Sequence, residues 1–119
     1  MSNDFRETAR VSPYAPGDVA VSTYECGPCL PTTYGSAPPI VLAANPYPTA
    51  TAPDGSGVTI QMVDIAANPK TGLQTDILIE IAVAKDAVTG DYPISLELWG
   101  TDAVTHQYRT LIIPVRTGI

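Results

Sequence analysis

Charge is what this sequence has least of. Asp, Glu, Lys and Arg together make up 15% of the 119 residues, well below the quarter usual in soluble domains. Positive charge is scarcer still, with six Lys and Arg against twelve Asp and Glu and a formal net charge of −6. Those six cations (Arg6, Arg10, Lys70, Lys85, Arg109 and Arg116) are scattered along the chain. Nucleic-acid binding draws on clustered cations, so no nucleic acid is expected as a partner. No apolar run approaches the ~18 residues of a membrane span, and no membrane is expected either. Helix-forming periodicity is also missing, and twelve prolines would break a helix wherever one began. The N-terminus, Met1-Ser2-Asn3-Asp4-Phe5-Arg6-Glu7, lacks an apolar h-region and a cleavage site, as expected of an intact cytoplasmic product. In that compartment the two cysteines are expected as thiols.

What the sequence does have is alternation. Ile77, Ile79, Ile81 and Val83 alternate with Asp76, Leu78, Glu80 and Ala82. Ile94, Leu96 and Leu98 alternate with Ser95, Glu97 and Trp99, and a last run over 108–115 is apolar on both faces near its centre. A period of two places each set on one face of a sheet. Earlier in the chain, Val19, Val21 and Thr23 alternate with Ala20, Ser22 and Tyr24. Val58, Ile60 and Met62 alternate with Thr59, Gln61 and Val63. Ile40-Val41-Leu42-Ala43, entered through Pro38-Pro39, predicts a short edge strand. Residues 45–57, with three prolines and Asp54-Gly55-Ser56-Gly57, predict only loop and turn. Asp4 and Glu7 predict a capped helical turn over 5–10. The sum is an all-β antiparallel sandwich of six to seven strands. It forms one domain over 18–119, with long proline-rich loops in 26–57 and an extended N-terminal arm over 1–17. The length suffices to bury a core without disulfides or metals.

Thr89-Gly90-Asp91-Tyr92-Pro93-Ile94 follows one alternating run and opens the next. This resembles the E-to-F corner of immunoglobulin-like domains, where a Gly-x-Tyr-x-Cys run begins strand F. The resemblance implies an immunoglobulin-like β-sandwich in which Tyr92 is a tyrosine corner, its hydroxyl bonded back to the preceding loop. Ile94 stands where the disulfide cysteine would be, and Val88 where the corner aspartate would be. The likeness, over 75–115, is therefore to cysteine-free modules of the bacterial and phage type.

Cys26-Gly27-Pro28-Cys29 has the four residues of the thioredoxin active site. That chemistry needs its first cysteine at a helix N-terminus, where the dipole stabilises a thiolate. Here Leu30-Pro31-Thr32-Thr33 cannot continue as a helix. Thiol–disulfide exchange at Cys26 and Cys29 is thus the last of the readings, behind a tight turn whose sulfurs pack as small apolar groups or close a local disulfide. Cys26, Cys29 and His106 are the metal-ligating types present, and a structural zinc site would need a fourth ligand. His106 is expected in a solvated turn. Asp54, Asp86, Asp91 and Asp102 lack Asp-x-Asp-x-Asp spacing and suit turn chemistry better than calcium. No cofactor and no catalysis are expected.

Residues 26–53 hold no charge at all, yet include Tyr34 and Tyr47. Charge depletion with tyrosine enrichment is the composition of an interface core; the alternative is a loop that covers its own sandwich. Tyr14, Tyr24, Tyr34, Tyr47 and Trp99 are the candidate interface residues. The expectation is a non-enzymatic structural protein of a virion, namely a phage capsid decoration or cement protein bridging shell subunits. It would be made in the host cytoplasm, with the major capsid protein as partner, and be homo-oligomeric or lattice-bound. The other reading is an adhesion or carbohydrate-binding immunoglobulin-like module of an extracellular complex, with Trp99 and the tyrosines as stacking surfaces.

Overall fold

The alternating runs of the second half divide between two sheets. The computed structural model describes residues 8–117, and among these seven strands form. They are β1 (Thr8–Arg10), β2 (Val19–Glu25), β3 (Thr49–Thr51), β4 (Val58–Ala66), β5 (Asp76–Val83), β6 (Gly90–Trp99) and β7 (His106–Val115). One sheet has the order β2-β5-β4 and the other β1-β7-β6-β3. Every pairing is antiparallel except that of β1 with β7. The chain is an all-β sandwich, as its alternation predicts. The turn after β5 carries the chain from one sheet to the other, and the hairpin β6–β7 stays within its sheet.

Alternation accounts for the core. Ile77, Ile79 and Ile81 from β5 meet Ile94, Leu96 and Leu98 from β6 and Leu111, Ile113 and Val115 from β7, all essentially inaccessible. Burying each such side chain stabilises the fold by roughly 1.5–3 kcal/mol. In β4 the pattern breaks at a bulge between Ile60 and Met62. The extra residue, Gln61, sends Met62 outward opposite Glu80 and turns Val63 and Ile65 toward the core. The expected run Val58, Ile60, Met62 is therefore corrected to Val58, Ile60, Val63, Ile65.

Three local expectations fail for identifiable reasons. Residues 40–43 make one bridge, Leu42 with Gly100, and no strand. Their N–H groups go to different places: Val41 to Thr101 Oγ1, Leu42 to the Gln74 carbonyl and Ala43 to the Trp99 carbonyl. Thr49–Thr51, expected as loop, is an edge strand paired with Ser95–Glu97. Pro48 and Pro53 flank that Thr-Ala-Thr run without interrupting it, and β-branched threonine suits an edge. The helical turn over 5–10 is replaced from Thr8 onward by β1, which pairs with Thr110–Ile112; Asp4, Phe5 and Glu7 lie outside the described residues. The described part of the arm is tied down further on, where Tyr14 bridges Val115.

Candidate functional site at the loop end

Residues 26–48 gather at one end of the sandwich, and two local structures hold them there. The first is the cysteine turn. Gly27–Cys29 forms one turn of 3-10 helix with Pro28 inside it, and the chain leaves extended at Leu30. Cys26 is fully buried and donates its N–H to the Thr75 carbonyl at 2.9 Å. The second is the 68–73 turn, organised by Asn68. Its Oδ1 accepts the N–H groups of Lys70 and Thr71, and its Nδ2 donates to Asp76 Oδ1 at 3.1 Å. Between the two lies a cleft of about 520 Å³, walled by Pro28, Leu30, Pro31 and Ile40 on one side and by Lys70 and Leu73 on the other.

The charge-free segment both covers the core and faces outward. Leu30 and Leu42 are core residues, with Ile40 and Ala50 packed partly against the same cluster. Residues 34–39 are all exposed, and Tyr34 is 82% accessible. Six consecutive exposed residues without a charge make an apolar tip that no charged side chain of its own segment shields. Tyr47 is also on the surface but is engaged. Its hydroxyl donates to Asp64 Oδ1 at 2.6 Å and accepts the Ile65 N–H at 2.9 Å, fastening the loop to the edge of β4. The Asp64 bond holds the Tyr47 phenol above its ordinary pKa.

Two candidate interface residues are placed elsewhere. Tyr14 and Tyr24 are 4% and 9% accessible and belong to the core of this chain, so neither offers a surface to a partner. The Tyr14 hydroxyl lies 2.8 Å from Ser22 Oγ and donates to the Ala20 carbonyl, which is why a polar ring is accommodated between β2 and β7. Tyr24 comes within 3.7 Å of Cys29 Sγ. Arg109, itself buried, donates from Nε to the same sulfur at 3.1 Å. Both cysteines are free thiols. Burial raises the Cys26 pKa strongly, with nearby Cys29 and Asp76 adding to it. A thiol held neutral in this way is a poor nucleophile, and Cys26 packs in the core. Among the described residues no group of three or more His, Cys, Asp or Glu could hold a metal ion, and Cys26, Cys29 and His106 do not come together.

His106 is corrected from turn to strand: it opens β7 and pairs with Trp99. Its ring stacks on Trp99, with centroids 4.7 Å apart and planes 14° from parallel, and Tyr108 follows at 4.9 Å. His106 Nε2 lies 2.7 Å from Glu97 Oε2, and a hydrogen bond to Glu97 raises the Tyr108 pKa. Trp99, His106 and Tyr108 thus form an aromatic row on the outer face of the β6–β7 hairpin. The sequence reading missed Tyr108 and Glu97. Hairpin symmetry about Asp102-Ala103 held the signal, since positions equidistant from a turn face each other on adjoining strands.

Compared with protein-family models, with curated proteins and with solved structures, the chain has no match.

Proposed function

We propose that this chain is a non-enzymatic virion structural protein, an immunoglobulin-like decoration module that seats its charge-free loop end on a phage shell. The exposed tip at 34–39 is the observation that carries the reading. An uncharged apolar tip around Tyr34 has the makeup of an interface centre, and a sandwich body behind it gives a firm mount. The immunoglobulin likeness is supported by strand order. β2-β5-β4 corresponds to B-E-D and β7-β6-β3 to G-F-C, with β1 beside G in place of its usual partner B. It is supported also by Tyr92, whose hydroxyl donates to the Val88 carbonyl four residues upstream. A backbone carbonyl there does without the corner aspartate. Repetition over a symmetric shell would multiply modest contacts into a firm hold.

The test is direct. Particles purified from the native source should carry the chain in a fixed ratio to the major shell protein, and stripped particles should rebind it. Tyr34→Ala should abolish rebinding while leaving the melting curve in place. Particles lacking the chain, or rebinding untouched by Tyr34→Ala, would sink the proposal.

The aromatic row favours one second reading, a carbohydrate-binding module of an extracellular complex. Sugar rings stack on aromatic faces, and Glu97 beside the row could accept hydroxyl bonds. Binding on a glycan array that is lost with Tyr108→Ala would select it over the first.

A further inference from the structure

The sandwich has four strand edges, and three of them are blunted. β3 is three residues long, and so is β1 among the described residues. β4 carries the bulge at Gln61 and the exposed Asp64. Short edges, bulges and edge charges are the usual defences against strand addition. β2 is neither short nor bulged, and its one charge, Glu25, stands at its last residue. It runs seven residues in unbroken register with β5 and contains no proline and no charge before Glu25.

Its outward edge can be assigned residue by residue. Hydrogen-bonded and non-bonded pairs alternate along an antiparallel ladder. The Cys26 N–H goes to the Thr75 carbonyl, and the Val83 N–H to the Asp18 carbonyl. Even-numbered residues between them therefore bond β5, and the N–H and C=O groups of Val19, Val21, Thr23 and Glu25 point away from it. Among the described residues no strand pairs on that side. A cleft of about 460 Å³ runs there, with Val11, Pro13 and Tyr14 as one wall and β2 as the other. Val19 and Val21 stand 59% and 52% exposed on the outer face.

We infer that β2 is a homodimerisation strand, pairing antiparallel with β2 of a second copy about a two-fold axis through Val21. Charge selects both the occupant and the register. With Val21 opposite its own symmetry mate, Val19 faces Thr23, and Glu25 comes to the Gly17-Asp18 turn that precedes β2. Lys85 lies beside Gly17, its Cγ 3.5 Å from where a Gly17 Cβ would sit. Each Glu25 then comes to the turn of the other copy that holds Lys85, whose cation offsets the Asp18 carboxylate there, and the two-fold axis makes two such contacts in all. Sliding one strand by two residues moves Glu25 opposite Val19 and away from Lys85. An isologous contact of this kind closes on itself and stops at two copies. The pairing is independent of what the loop end binds: a monomer still found on particles would overturn the pairing alone.

Sedimentation equilibrium on the full chain should show a concentration-dependent dimer, and Val21→Lys should be monomeric with an unchanged melting temperature at high dilution. Val21→Cys supplies a positional readout. Cα atoms of a hydrogen-bonded pair lie about 5.5 Å apart, within disulfide reach. Under mild oxidation Val21→Cys should link two chains through position 21, and Val19→Cys should fail to link. A monomer at every concentration, or equal linking at both positions, would overturn the inference.

Discussion

Tyr92 fastens the passage from one sheet to the other through a single hydroxyl. Its bond to the Val88 carbonyl is of the kind worth about 1 kcal/mol net. Tyr92→Phe should lower the unfolding free energy by about 1 kcal/mol, seen as a lower urea midpoint at an unchanged slope of the transition. Gly100 matters for room. A Cβ there would lie 2.9 Å from Thr105 Cβ and 3.1 Å from both Asp102 Oδ1 and Ile40 Cγ2, so Gly100→Ala should destabilise by roughly 1–3 kcal/mol in the same assay. Cys26 contributes to the alkaline behaviour, as do the tyrosines whose pKa is raised. The folded pKa of Cys26 is raised by burial, so its share of stability is complete below the unfolded value of about 8.5 and is lost as pH rises toward the folded value. Melting temperature should therefore fall with pH above that point, and less steeply in Cys26→Ala. Asp102 works in the opposite sense. Thr105 and Val104 donate to its carboxylate and lower its pKa, so its small surface contribution is present above about 3.9 and fades below it.

At the level of the element, β5, β6 and β7 were legible because a period of two is a property of the pleat itself. Every residue expected inward on β5 is inward. Ile79→Ala at its centre should cost about 2–5 kcal/mol, measured by denaturant unfolding. The bulge in β4 was not legible, because Met62 and Val63 are both apolar and either could have faced the core. Residues 40–43 and 49–51 misled for a related reason. Strand formation there depends on where N–H groups find partners, and Leu42 finds Gln74 in the connection before β5 while Ala43 finds Trp99 at the end of β6. The loop end was half legible. Missing charge marked the segment, but only folding separates the buried Leu30 and Leu42 from the exposed Tyr34. Tyr14 and Tyr24 show the limit of composition: a tyrosine reads as surface until a Ser22 hydroxyl or a Cys29 sulfur gives its hydroxyl an interior partner.

On the scale of the whole molecule, a chain of net charge −6 carries none of its charged side chains on residues 26–53. Association through the loop end should therefore respond weakly to ionic strength, because screening acts on charges. Titrating particles with the protein at low and high salt checks this; a steep loss at high salt would point to an acidic face as the contact. The three-residue segment 41–43 gives the loop end a mechanical property. Val41 and Ala43 are bonded to Thr101 and Trp99 at the end of β6, and Leu42 to Gln74 just before β5. A pull applied at Tyr34 is thus shared between those two places. Those three bonds must break before the pull reaches β6 through this segment.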